Sequence, residues 1–238
     1  MPIERTTYTF ALVFLKFSVC CLLVLFCPML HAQDWPNLNR YQTENEILGE
    51  PNKGEKRVVF LGSSIIEFWK NSSPGFFKAN YINRGISGQT SPQLLLRFRA
   101  DVIRLKPAAV IILAGSNDIA GNTGPATLQM IMDNILSMAE LAKMHKIKVI
   151  LCGNLPVYDY PWKPGLFPAQ KLIELNTMIK AYAAANGFGY IDFHSALKDE
   201  RNGTKAIYTK DGVHPNEAGY QIMNVITEQA INKILKKK

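Results

Sequence analysis

The strongest constraint on the fold is an alternation. Short, almost wholly apolar runs recur at 57–61 (RVVFL), 81–83 (YIN), 108–113 (AAVIIL), 148–152 (KVILC) and 189–192 (GYID). A strand with one wet face alternates apolar and polar residues, whereas a strand covered on both faces does not. Between the runs lie segments with apolar residues at helical spacing. Residues 92–105 carry Leu94, Leu95, Phe98, Val102 and Leu105, and residues 125–146 carry Leu128, Met132, Ile135, Met138 and Leu141. Two more helices are predicted at 168–186, stopping at Asn186-Gly187, and at 216–236. Strands alternating with helices across short connections predict an α/β chain, a three-layer α/β/α sandwich around a parallel sheet of about five strands. Ligands of such sheets sit beyond the carboxyl ends of the strands.

What precedes this pattern differs in kind. Residues 1–32 read as a signal peptide: Arg5 and Lys16 are the basic residues, Phe17 to Phe26 the apolar core, Pro28 a break, and Ala32 the small residue before the cut. An uncleaved anchor, or lipidation at Cys27, would be the alternatives. Export puts the protein in the periplasm or outside the cell. Residues 33–56 are polar and rich in Pro, Asn and Gly, so they read as an N-terminal lead-in, with the folded domain at 57–238. Of the four cysteines, Cys20, Cys21 and Cys27 fall in the leader, leaving Cys152 at the end of an apolar run as a buried structural thiol.

Composition sets limits on partners. With 47% hydrophobic and 19% charged residues, the chain is no disordered or fibrous protein. The net charge of +8 is spread along the sequence apart from 236–238, with no basic stripe interleaved with aromatics, so nucleic acid is not expected as a partner. A membrane partner is expected only through a retained leader, and the sequence leaves the oligomeric state open. No Cys/His cluster suggests a metal.

The unusual residues gather after the first three runs and near the C-terminus. Gly62-Ser63-Ser64 follows the first run. Ser64 would open a helix, where a developing anion is favoured by the helix dipole, although serine is also an ordinary cap there. After the second run comes 83–90 (NRGISGQT), whose glycines Gly85 and Gly88 permit tight turns with exposed N–H groups. The third is followed by Gly115-Ser116-Asn117-Asp118, where the Asn117 amide could donate to an oxyanion or simply make an Asx turn. Asp211-Gly212-Val213-His214 places a carboxylate three residues before an imidazole. Such a carboxylate can fix one tautomer, leaving the other ring nitrogen to take a proton from a hydroxyl. His145 and His194 lack comparable partners and read as structural or surface residues.

These four blocks, in this order, resemble the SGNH (GDSL-type) hydrolase family, over nearly all of residues 57–236. The resemblance implies a flavodoxin-like sheet and a serine esterase or acylhydrolase with no cofactor and no metal. It implies Ser64 as nucleophile, His214 as general base and Asp211 as its orienting partner. The N–H groups of Ser64 and Gly88 and the Asn117 amide would form the oxyanion hole. One position departs: the family usually has Asp where this chain has Ser63. No GxSxG elbow is present, which argues against an ordinary α/β-hydrolase.

Residues 154–168 hold Tyr158, Tyr160, Trp162, Phe167 and four prolines, a stiff loop expected to overhang the site or to pack on the protein itself. The expected substrate is a small-molecule or glycan ester, with removal of small acyl groups, acetyl above all, from carbohydrate. A lysophospholipase or general lipid acylhydrolase is the alternative, followed by a non-catalytic glycan-binding module. A flavin or nucleotide binder would share the fold class but would need a phosphate-binding fingerprint that the sequence lacks.

Overall fold

Five parallel strands, β1 (Val58–Gly62), β2 (Tyr81–Gly85), β3 (Ala109–Ile112), β4 (Lys148–Cys152) and β5 (Gly189–Ile191), form one sheet in the order β2-β1-β3-β4-β5. The computed structural model describes residues 34–77 and 80–236, so the leader at 1–32 lies outside the described residues. From Trp35 onward the chain forms one compact unit. The helices are α1 (Gln42–Leu48), α2 (Ser64–Ser72), α3 (Ser91–Asp101), α4 (Ser116–Ala120), α5 (Leu128–Met144), α6 (Ala169–Ala185), α7 (Phe193–Leu197) and α8 (Glu217–Lys236). Among the described residues, no helix is long and apolar enough to cross a membrane.

The apolar runs are explained by what covers them. In register, Val59, Leu61, Val110, Ile112, Val149 and Leu151 face a layer made by α3, α5 and α6. Their neighbours Val58, Phe60, Ala109, Ile111, Ile150 and Cys152 face α2, α7 and α8. Successive side chains of a strand point to opposite faces, so both sets must be apolar when both faces are covered. Each Val, Leu, Ile or Phe among them, fully buried, contributes about 1.5–3 kcal/mol. The second layer is aromatic: Trp69 of α2 stacks on Phe76 and Tyr220 and meets Phe60 and Phe193 edge-on. Its indole N–H donates to Asn224 Oδ1 at 2.8 Å, so α2 and α8 are joined across the layer.

Several boundaries depart from the sequence pattern, each for a local reason. β2 continues past Asn83 to Gly85 because buried Asn83 satisfies its own amide: it donates to the Ile66 carbonyl and accepts the Gly85 N–H at 2.9 Å. The helix predicted at 92–105 stops at Asp101, and Ile103–Leu105 continues as a 3-10 turn. The one predicted from 125 starts at Leu128, after Thr127, whose hydroxyl accepts the Met130 N–H at 3.2 Å. The lead-in folds onto the rest of the unit. Tyr41 is buried, its hydroxyl donates to the Gly85 carbonyl, and the Arg84 guanidinium lies over its ring at 4.6 Å.

The strand order places the switch in winding direction between β1 and β3, the point at which sheets of this kind open a crevice for ligands.

Candidate active site

At that crevice, Ser64 opens α2 directly beyond β1, and its side chain turns away from the helix rather than capping it. The Ser64 hydroxyl donates to His214 Nε2 at 2.9 Å, across 150 positions of sequence. His214 Nδ1 lies 2.7 Å from Asp211 Oδ2. An ionised carboxylate only accepts, so Nδ1 carries the proton and Nε2 is left as the acceptor for serine. Asp211 is itself fixed, since its Oδ1 accepts the backbone N–H groups of Val213 at 2.9 Å and His214 at 2.7 Å. Burial pushes its carboxyl up, but the bonds from the His214 ring and from those two N–H groups outweigh it, so the pKa falls below the usual value. Thr209 Oγ1 donates to the His214 carbonyl at 2.8 Å, and Thr209 pairs with Pro215 in a bridge that closes the loop.

The other predicted residues stand on neighbouring loops. Gly88 has φ +77°, a left-handed conformation suited to glycine, and its N–H makes no hydrogen bond to a described residue. Asn117 is buried in α4, and one amide N–H donates to the Gln89 carbonyl at 2.9 Å, leaving the second free to meet a ligand. The Ser64 N–H belongs to the first turn of α2 and has no partner within the helix. The β2 loop is tied to the end of β1 through the Ile86 N–H, which donates to the Gly62 carbonyl at 3.1 Å. The Ser87 N–H donates to Glu67 of α2 at 2.7 Å. Ser63, at the departure from the family pattern, makes no side-chain cap bond, while its carbonyl accepts the Glu67 N–H at 2.9 Å.

The aromatic loop divides between two roles. Tyr160 is fully buried, and its hydroxyl donates to the Ser116 carbonyl at 2.8 Å, bracing the loop that carries Asn117. Burial pushes this phenol up to about 12, so it stays a donor. Tyr158 pairs with Phe167 edge-on. Trp162 reaches the site, with its ring 6.1 Å from the imidazole. Asp159 accepts N–H groups from Tyr160, Gly165, Leu166 and Phe167, which sets the shape of the loop. A residue that the sequence did not single out, Phe68 of α2, lies on the imidazole at 5.4 Å. Phe68 and Trp162 remain 40% and 46% exposed, so both offer open ring faces beside His214. Phe68 follows Ser64 by one helical turn, and that spacing was the signal that could have found it.

Among the described residues, no group of three or more His, Cys, Asp or Glu is placed to hold a metal ion. Cys152 is buried and unpaired with another cysteine, and burial pushes its thiol pKa up. His194 is buried at the second position of α7, and His145 caps the end of α5.

A serine, an imidazole and a carboxylate linked in series at the switch point of a flavodoxin-ordered sheet are the groups that a hydrolase with an activated serine would need. Comparison with known proteins makes the assignment narrower. The model of the GDSL-like lipase/acylhydrolase family matches residues 60–222, and the chain belongs to that family. It is accordingly a hydrolase of ester bonds. It is similar to esterase TesA of Pseudomonas aeruginosa, 33% identical over 169 residues that cover 68% of this chain and 77% of the relative. The crystal structure of a GDSL-like lipase from Bacteroides thetaiotaomicron shares 51% identity and a TM-score of 0.81, covering 83% of this chain and 98% of that one. An uncharacterised lipoprotein of Bacillus subtilis, YqeF, is 35% identical over 89 residues, 36% of this chain and 37% of the relative's own length.

Proposed function

We propose that the protein is an exported carboxylic-ester hydrolase that works through an acyl-serine intermediate and removes small acyl groups, acetyl above all, from carbohydrate. The observation that carries this reading is the continuous relay from Ser64 through His214 to Asp211. Ser64 Oγ attacks the ester carbonyl as its proton passes to His214 Nε2, and Asp211 stabilises the imidazolium. The carbonyl oxygen becomes an oxyanion, held by the N–H groups of Ser64 and Gly88 and the free Asn117 N–H. A donor of this kind lowers the barrier by about 3–4 kcal/mol. As the tetrahedral intermediate collapses, His214 returns its proton to the departing alcohol. Water then gives a proton to His214 as it attacks the acyl-serine, and the acid leaves as His214 returns that proton to Ser64 Oγ.

The carbohydrate reading rests on where the alcohol must sit. His214 has to reach the leaving oxygen, so the alcohol would lie beside the imidazole, near the part-exposed rings of Phe68 and Trp162. Flat apolar ring faces beside a polar proton donor suit the C–H face of a sugar. The same rings would also accept an acyl chain, and the likeness to a GDSL-like lipase favours a lipid ester as the second reading. Export is supported by the pattern of residues 1–32 and by the likeness to a lipoprotein.

The deciding experiment assays acetylated sugars against long-chain glycerol and phospholipid esters, with wild type and Ser64→Ala in parallel. The expected result is fast release of acetate, slow release of long acyl chains, and loss of both in Ser64→Ala by about 10⁴-fold or more. A fluorophosphonate should add its mass to the peptide holding Ser64. Turnover by a clean Ser64→Ala preparation would overturn the mechanism, and preference for long chains would overturn the substrate.

A further inference from the structure

Behind the crevice lies a charged group that the reaction as described does not use. Arg97 of α3 is fully buried, and its guanidinium reaches chain on both sides of the site. Nη2 donates to the carbonyl of Gly62, two residues before Ser64, at 3.0 Å, and to the carbonyl of Arg84 in β2 at 2.8 Å. Nε donates to Gln89 Oε1 at 2.6 Å, and Nη1 to Asp101 Oδ2 at 2.9 Å. Gln89 is held at its other end too, its Nε2 donating to the Pro36 carbonyl of the lead-in at 2.7 Å. The backbone carbonyl of this same Gln89 accepts the Asn117 amide, and Gly88 is its immediate neighbour.

Resting on the serine-hydrolase reading above, we propose that Arg97, acting through Gln89, is a positioning residue that sets the separation between Ser64 and the oxyanion donors Gly88 and Asn117. A buried ion pair is a poor way simply to fill space, because an apolar side chain of similar volume often stabilises as well or better. A guanidinium is a rigid planar fork with five donors, and here one such plane spans the end of β1, the end of β2 and the Gly88 loop. A backbone bond ties the start of that loop, at Ile86, to Gly62, but beyond it lies a left-handed glycine whose N–H has no partner among the described residues, so side chains complete the placing of the loop at Gly88 relative to Ser64. Glu67 grips it at Ser87, on its outer side, and Arg97 on its inner side. The oxyanion exists only after attack, so a displaced donor costs turnover rather than substrate binding.

The test uses Arg97→Lys, Gln89→Met and Gln89→Glu, with 4-nitrophenyl acetate as substrate. Arg97→Lys keeps the charge next to Asp101 but cannot span all three segments. Gln89→Met removes the acceptor, while Gln89→Glu keeps it. The expected result is a fall in kcat of about 10- to 100-fold for Arg97→Lys and Gln89→Met, the scale of a displacement near 1 Å. KM stays within about twofold, and Gln89→Glu recovers most of the rate. The inhibition constant of phenylboronic acid, which forms a tetrahedral adduct on serine, should rise by the same factor as kcat falls. The shape of the pH profile should not move, because His214 and Asp211 are untouched. Folded variants with wild-type kcat and boronate affinity would overturn the inference, as would loss of kcat with boronate affinity intact. If Arg97→Lys does not fold, the two Gln89 variants decide alone. Retained turnover in Ser64→Ala would instead sink the underlying assignment.

Discussion

Asp211 illustrates what a single side chain contributes and how its chemistry can be read by titration. Its carboxylate holds the Nδ1 proton, and with it the tautomer that leaves Nε2 facing Ser64. Asp211→Asn would keep the two backbone bonds at Oδ1 but present an N–H to Nδ1, which favours the wrong tautomer. Ester turnover should fall by about 10⁴-fold with little change in melting temperature. Under the proposed mechanism turnover needs an unprotonated Nε2, because a protonated imidazole cannot take the serine proton. Asp211 has a folded pKa below its unfolded one, so its contribution to stability is present above the unfolded carboxylate range and is lost as pH falls through the folded value. Melting curves from neutral pH to about pH 3 should show that loss in wild type and a smaller one in Asp211→Asn. A rate that stays flat on acidification would count against His214 as the base. The site residues themselves were legible because each block pairs a special backbone residue with one chemical group. Phe68 and Arg97 were not, because an aromatic at helical spacing and an arginine on a helix read as core edge and solvated surface.

Among the elements, the decisive contact is between β2 and the helix carrying the nucleophile. A Cβ on Gly85 would come within 2.2 Å of the Glu67 backbone nitrogen, in the first turn of α2. Nothing there can yield except the helix. Gly85→Ala should therefore destabilise by about 1–3 kcal/mol and lower kcat by moving Ser64 relative to Gly88, read by denaturant melts and ester assays on the same samples. An unchanged melting midpoint would show that α2 can retreat at no cost. The same region shows where periodicity stops being informative. The β1, β3 and β4 runs were plain because both their faces are covered by helices. The end of β2, beyond the predicted Asn83, was obscured because Arg84 is polar yet buried, with its own partners. The short helices α4 and α7, of five residues each, carry too few positions to show a period. Helix α1 was lost among the polar lead-in because none of its residues is buried and its neighbour Tyr41 supplies the anchor.

On the scale of the whole unit from Trp35 onward, the candidate site lies beyond the carboxyl ends of the strands and the apolar mass lies around the sheet. Cys152 lies inside that mass, with its thiol pKa raised by burial, so it should resist iodoacetamide in the native protein and react once unfolded, read by peptide mass mapping. Labelling at the native rate of a free thiol would show that the α8 side of the sheet opens locally. The three layers were open to sequence reasoning, since they follow from strand-helix alternation and two-sided burial, and the flavodoxin-like sheet was what the family resemblance implied. The pinning of the Gly88 loop by Pro36 and Arg97 was not, since it depends on contacts between distant segments. The hydroxyl and the imidazole are contributed by opposite ends of the domain, and the second arrives immediately before α8, whose Tyr220 hydroxyl donates to the Ile65 carbonyl. Under the proposed mechanism, a chain ending short of residue 211 would hold the hydroxyl and the three amide donors but neither the imidazole nor its carboxylate. Such a chain should release no acid from an ester, so the reaction would require the far end of the domain to be in place.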